Sequence, residues 1–86
     1  MYDGSVSGAR SVAEVIADRI AVYLGPHTAR VAVRTFSYKA LRRGPETLSR
    51  ADFPALAAAL RPMLRTLVGR AMSEAILDHA ERDLGA

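Results

Sequence analysis

Apolar residues recur every three or four positions along most of this chain, a spacing that predicts amphipathic helices. The clearest run occupies positions 12, 15, 16, 20, 23 and 24. Ser11 and Glu14 have the spacing of a capping box, in which each side chain accepts a hydrogen bond from the backbone N–H of the other residue. Gly25 and Pro26 end the pattern, since glycine commonly follows a helix and proline cannot continue one. The sequence therefore predicts a first helix over residues 12–24.

The segment that follows Pro26 fits two patterns. Its β-branched residues alternate at Val31, Val33 and Thr35, as they would in a strand. The same residues also fit a helix with an apolar face. A second face of that helix would carry basic and aromatic residues at four-residue steps: Arg30, Arg34, Tyr38 and Arg42. A single strand would have no partner elsewhere in the chain, so we predict a second helix over residues 27–42.

A loop at Gly44 and Pro45 separates this first half from the third predicted helix. Ser49 and Asp52 form a second, weaker cap pair at its start. Leucines at positions 56, 60, 64 and 67 supply its apolar face. Pro62 lies inside this pattern and has no N–H to donate, so we expect it to kink the helix or to split it into 51–60 and 62–68.

Gly69 separates the third helix from a fourth, predicted over residues 70–84. Tyr23-Leu24-Gly25 and Leu67-Val68-Gly69 resemble each other, and a predicted helix follows each of them. Two apolar residues before a glycine are, however, too few to predict an internal repeat. The spacing of charges on the fourth helix predicts two i,i+4 ion pairs, Arg70–Glu74 and Asp78–Arg82.

These elements predict an all-α fold, a small bundle of four helices, or of five if Pro62 divides the third. Residues 11–86 are expected to form a single helical domain, and residues 1–10 a flexible leader. The chain has only 86 residues and no cysteine, so its core is small and has no disulfide to support it; we expect a partner to supply further burial. The predicted core residues are Val15, Ile16, Ile20, Tyr23, Val33, Phe36, Leu56, Leu60, Leu64, Leu67, Ile76 and Leu77.

The net charge of +3 conceals a strong separation of charge along the chain. Residues 30–70 contain nine basic and two acidic side chains, which gives +7, whereas residues 71–86 contain one arginine and four acidic side chains, which gives −3. Three interpretations remain open at this point: solvated helix faces with internal cross-helix ion pairs, head-to-tail docking on copies or partners, and contact of the arginines with a phosphate backbone.

Catalytic chemistry has little support in this sequence. There is no cysteine, and neither His27 nor His79 has a partner at a motif spacing. His79 and Asp83 lie four residues apart, but two ligands do not make a zinc site. The corner at Gly25 lacks the further glycines of a phosphate-binding loop. We therefore predict that the protein is not an enzyme and uses no metal or cofactor.

Residues 16–33 combine an apolar helix, the corner Leu24-Gly25-Pro26 and a β-branched stretch with arginine. This pattern resembles small helical domains appended to bacterial Ser/Thr protein kinases and nucleotide cyclases. A later helix of those domains is loosely matched by Phe53, Leu56 and Leu60. The resemblance implies a non-catalytic interaction module, in which the Gly-Pro corner sets the second helix against the first.

The sequence as a whole predicts a protein–protein interaction or oligomerisation module of a bacterial cytosol, acting in signalling or assembly. Eleven arginines against one lysine, with sixteen alanines, suggest a GC-rich bacterial genome. The expected partner is a second copy or another protein, with no membrane contact. Nucleic-acid binding without sequence specificity is the alternative. The candidate partner-binding residues are Arg30, Arg34, Arg42, Arg61 and Arg65 on the basic side and Glu74, Asp78 and Glu81 on the acidic side.

Overall fold

The computed structural model describes residues 11–85, and the predicted leader at residues 1–10 lies outside this range. The described chain forms four α-helices and no strand, which confirms the predicted all-α class. Two 3₁₀ turns, Pro45–Thr47 and Arg50–Asp52, lie in the connection between the second and third helices. The helices are α1 (Val12–Leu24), α2 (Pro26–Leu41), α3 (Phe53–Val68) and α4 (Arg70–Gly85).

The segment that fitted both a strand and a helix is helical. Pro26 occupies the first position of α2, where its fixed φ suits a helix and its missing N–H costs no hydrogen bond. Ala29, Ala32 and Val33 share one buried face. The hydroxyl of Ser37 is buried on the same face and donates to the carbonyl oxygen of Val33 at 2.7 Å. Burial at helical spacing therefore outweighs the β preference of the branched residues.

α3 runs without interruption through Pro62, so the fold has four helices and the alternative with α3 divided in two does not occur. Pro62 is exposed, and its carbonyl oxygen accepts a hydrogen bond from the hydroxyl of Thr66 at 3.0 Å. The helix begins at Phe53, later than predicted, because the Ser49 cap serves the preceding 3₁₀ turn instead. There the N–H of Ser49 donates to the carboxylate of Asp52 at 2.9 Å.

Gly25 and Gly69 join the helices in pairs, each by a single residue. Both have φ of 87°, with ψ of 155° and 166° respectively, a backbone region that is essentially restricted to glycine. The N–H of Gly25 closes α1 on the carbonyl of Ala21 at 2.9 Å, and its own carbonyl accepts the N–H of Ala29 at 3.0 Å. Gly69 repeats both bonds, to the carbonyl of Arg65 and from the N–H of Ser73, each at 3.0 Å. The two corners are therefore the same structure, 44 residues apart.

The burial pattern repeats with the same offset of 44 residues, which makes α1–α2 and α3–α4 two equivalent hairpins. The hairpins pack with α1 against α4 and α2 against α3. The short resemblance around the two glycines coincides with the two equivalent corners, although it was too brief to predict them from the sequence. The equivalent buried pairs are Ile16 and Leu60, Ile20 and Leu64, Ala29 and Ser73, Ala32 and Ile76, and Val33 and Leu77.

The core combines aliphatic side chains with many alanines. Tyr23 and Leu67 were predicted to belong to it, but they are 47% and 53% exposed. They occupy equivalent positions two residues before each corner glycine, after the last fully buried side chains of α1 and α3, which are Ile20 and Leu64. Their helical spacing places both residues on the side of the helix that faces the core, but the core does not extend to the last helical turn, where they lie. The other predicted core residues are buried, or, like Val15 and Phe36, partly buried against the core.

The corner geometry makes replacement of either glycine costly. We expect Gly25→Ala and Gly69→Ala each to lower the free energy of unfolding by about 1–3 kcal/mol, because an L residue is strained at this φ. A Cβ at either position would meet no atom within 4 Å, so the loss comes from the backbone alone. Urea unfolding followed by helical circular dichroism measures it. Gly85→Ala is the matched control and should change stability by less than about 0.5 kcal/mol; a Gly25→Ala protein as stable as this control would contradict the assignment.

Equivalent positions in the two hairpins supply a second test. Ser73 is fully buried, and its hydroxyl oxygen has no hydrogen-bond partner among the described residues, whereas its counterpart is Ala29. Ser73→Ala should therefore raise the free energy of unfolding by about 1 kcal/mol. Ser37→Ala makes the same change of helix propensity but removes the bond to Val33, so it should leave stability unchanged or lower it. If both variants gain equally, the gain comes from propensity and the hydroxyl of Ser73 is not the cause.

Candidate interaction surface

The two arginines of α3 that were proposed to bind a partner share one carboxylate of their own chain. Glu74 of α4 accepts a hydrogen bond from Nε of Arg61 at 2.8 Å and lies 3.5 Å from Nη2 of Arg65. Among the described residues Glu74 makes these contacts and not the predicted one with Arg70. Arg61, Arg65 and Glu74, which were assigned to opposing surfaces, therefore lie side by side between α3 and α4.

The acidic residues of α4 are also mostly engaged. Asp78 pairs with Arg82 at 2.7 Å, as their spacing predicted. Asp83 binds Arg19 of α1 through two hydrogen bonds, of 2.6 and 3.0 Å, a long-range pair that sequence spacing could not reveal. Glu81 is exposed and forms no salt bridge with residues 11–85. α4 is thus largely a charge-paired surface.

The exposed side of α2 presents a different arrangement, which we call the basic face: Arg30, Arg34, Tyr38 and Arg42. All four side chains are exposed, Tyr38 to 52%. Within the part of the chain that the structure describes, the three arginines form no salt bridge. Arg42 ends the helix in the left-handed conformation, with φ of 58°, and its N–H donates to the carbonyl of Tyr38 at 3.0 Å. The predicted four-residue steps therefore produce a continuous stripe of uncompensated positive charge with one aromatic ring.

A groove of about 400 Å³ runs beside the basic face, between α1, α2 and the first 3₁₀ turn. Its less exposed lining residues are Ser11 and four apolar residues that form the floor: Ala13, Ala17, Val33 and Pro45. Its exposed lining residues form the rim, with Arg30 and Arg34 on α2 and Glu14 and Glu46 on the other elements. Sequence reasoning missed the groove, although alanines at four-residue steps on α1, at positions 13, 17 and 21, were a signal for it.

The connection that closes the groove is held by Arg43 and Asp52. Arg43 Nη2 donates to one carboxylate oxygen of Asp52, and the backbone N–H of Ser49 donates to the other at 2.9 Å. Both contacts lower the pKa of Asp52, and the Ser49 N–H contributes most. The hydroxyl of Thr47 donates to the carbonyl of Gly44 at 2.8 Å. These bonds fix the connection between α2 and α3, which includes the first 3₁₀ turn and its groove-lining residues Pro45 and Glu46.

The two histidines are exposed and lie apart from this groove. His79 lines a small surface pocket with Arg19, Arg82 and Asp83, and His27 is in the first turn of α2. Within the described residues, no three His, Cys, Asp or Glu side chains are grouped so that they could hold a metal ion. None of the helices between residues 11 and 85 is both long and apolar enough to cross a membrane.

Comparisons of the chain with protein-family models, with curated proteins and with solved structures find no match. Its function is therefore inferred from the charges, the exposed side chains and the groove of this structure. The resemblance of residues 16–33 to domains appended to kinases and cyclases stays a prediction from sequence.

The depressed pKa of Asp52 predicts how the groove's closing turn responds to pH. A carboxylate whose pKa is lowered by folding stabilises the protein above its unfolded pKa, near 4, and that contribution is lost as the pH falls through the folded value. Asp52→Asn should therefore be less stable than the wild type at pH 7, and the difference should shrink below about pH 4. Thermal unfolding between pH 2 and 7, with Glu81→Gln as the control, measures this. A difference independent of pH would mean that shape, and not charge, gives Asp52 its effect.

Proposed function

We propose that this chain is a non-catalytic protein-interaction module that docks on an acidic surface of a partner protein through the basic face of α2. The supporting observation is a contrast between helices. The arginines of the basic face have no acidic partner among residues 11–85, whereas Arg61, Arg65 and Arg82 are paired. Like charges held on one face repel one another and favour approach of an opposite charge, which raises the association rate and orients the partner.

A different protein is better supported as the partner than a second copy of this chain. Head-to-tail docking of copies needs a free acidic surface opposite the basic one. In this structure Glu74, Asp78 and Asp83 already bind arginines of their own chain. Of the acidic residues of α4, only Glu81 has no salt bridge among residues 11–85 and could attract the arginines of another copy. Self-association through the exposed side chains of Tyr23 and Leu67 remains open as an outcome of the experiment below.

Nucleic acid is the second candidate, since Tyr38 lies between Arg34 and Arg42 on the basic face and could stack on a base while the arginines contact phosphates. The groove beside Arg30 and Arg34 favours a protein instead. Its floor consists of alanine, valine and proline side chains, which a phosphate backbone cannot fill and an apolar side chain can.

The biological setting belongs to the same proposal and rests on sequence. The arginine and alanine usage supports a bacterial origin, the Gly-Pro pattern over residues 16–33 supports a module that serves a signalling protein, and a cytosolic location is proposed together with them. A catalytic role is not part of this proposal.

The test compares anionic probes of similar charge. A peptide of about 16 glutamates, single-stranded thymidine DNA and duplex DNA of similar length are titrated into nuclease-treated protein at about 50 and 150 mM salt. We expect the peptide to bind, and binding to weaken with salt. Arg30→Glu plus Arg34→Glu should abolish it, while the control Arg50→Glu plus Arg70→Glu, which changes the net charge equally, should retain most of it. Fluorescence anisotropy gives the affinities, and light scattering after gel filtration gives the mass.

Each contrary result has a definite meaning. Equal losses in the two double variants would show that net charge and not the basic face attracts the probe, which contradicts the proposal. Tighter binding of DNA than of the peptide at about 150 mM salt would replace the proposal by nucleic-acid binding. A mass well above 9.3 kDa at both salt concentrations would show that the partner is a second copy.

A further inference from the structure

We infer that the groove between α1, α2 and the first 3₁₀ turn receives the apolar face of an amphipathic helix that carries acidic residues along one edge. This inference rests on the proposed function and names the form of the partner segment. It assigns the specificity of docking to the groove, and the attraction of the partner to the basic face.

The size and the apolar lining of the groove suit the side chains of a docked helix. Its volume of about 400 Å³ lies within the range of roughly 300–1,000 Å³ that is typical of binding clefts. Ala17 and Val33 line its deepest part and are only 6% and 2% exposed. Such a floor offers few hydrogen-bonding groups, so aliphatic side chains are its best occupants. A helix presents such side chains at i, i+3, i+4 and i+7, which is how helices occupy grooves.

The charges of the rim indicate where the acidic residues of the docked helix would lie. Arg30 and Arg34 line the α2 side and have no salt bridge to any residue in the described range, so they favour carboxylates on the edge of the occupant that lies against α2. Glu14 and Glu46 line the opposite side. Glu46 is exposed and would repel a carboxylate of the occupant there, so the acidic residues belong on one edge only.

The walls are fixed by local bonds, which favours a preformed site over one that opens on binding. Ser11 and Glu14 form the capping box that starts α1, with bonds of 3.0 and 3.1 Å. Arg43 and Asp52 close the connection that carries Pro45. A site with rigid walls loses less entropy when a helix docks than a disordered one would.

The experiment uses two helical peptides of about 16 residues with the same charge. One has leucine at helical spacing, glutamate along one edge and glutamine elsewhere; in the other, glutamine replaces each leucine. We expect the full chain to bind the leucine peptide at least about tenfold more tightly. Ala13→Trp, which fills the groove, should remove that difference, and the control Ala58→Trp, at an exposed position of α3, should keep it. Because the chain has no tryptophan, the introduced indole also reports binding by its fluorescence.

The outcomes separate this inference from the proposed function. Equal affinity for the two peptides, with loss of both in Arg30→Glu plus Arg34→Glu, would overturn the groove as the site and leave the basic face as the docking surface. Binding of neither peptide would overturn both. Circular dichroism checks that Ala13→Trp is folded, and Ala13→Leu, a smaller filling of the groove, should reduce the tenfold difference in part. A leucine preference that survives both Ala13 variants would also overturn the inference.

Discussion

Each helical hairpin turns at one glycine whose backbone lies in a region that other residues avoid, and the packing of the four helices depends on these two corners. With a single residue between helices, the end of one helix and the start of the next share hydrogen bonds through that glycine. No loop is available to absorb a different register, so the faces of α1 and α2, and of α3 and α4, must meet as they do. The same corner at Gly25 and Gly69 produces the same register twice, which is why burial repeats every 44 residues.

The alanine content of the core has two opposite effects. Small side chains at Ala17, Ala29 and Ala32 let the helices of a hairpin approach closely, and they are buried. The same small side chains cannot cover the last turns of the long helices, so Tyr23 and Leu67 are left partly in solvent. Ala13 and Ala17 of α1 also line the groove, where their small side chains leave space. A thin core and an available binding surface are therefore consequences of the same composition.

The packing of the helices determines which charged side chains are paired. Along the sequence, residues 30–70 are strongly basic and residues 71–86 are acidic. In the folded hairpins two acidic residues of α4 pair with arginines of the other helices, Glu74 with those of α3 and Asp83 with Arg19 of α1, while Asp78 pairs with Arg82 of its own helix. Lys39, Arg50, Arg70 and the basic face of α2 have no salt bridge among residues 11–85, and of these only residues of the basic face line the apolar groove. Exposed ion pairs of this kind contribute little to stability, but each one gives an arginine a carboxylate of its own chain and so affects which positive charges attract a partner.

The sequence by itself determined the helical class, the bounds of α1 and α4 to within a residue, the choice of helix for α2 and most of the core, because local spacing, caps and glycines act through neighbours along the chain. It failed where an outcome depends on distant contacts. Pro62 does not divide α3 because its ring is on the exposed side of a helix that is held on its other face. Arg61 and Arg65 are not free because α4 folds back to bring Glu74 beside them, and Arg19 meets Asp83 across 64 residues. Only the tertiary structure could separate paired from unpaired arginines and assemble the groove, since both depend on which helices lie side by side.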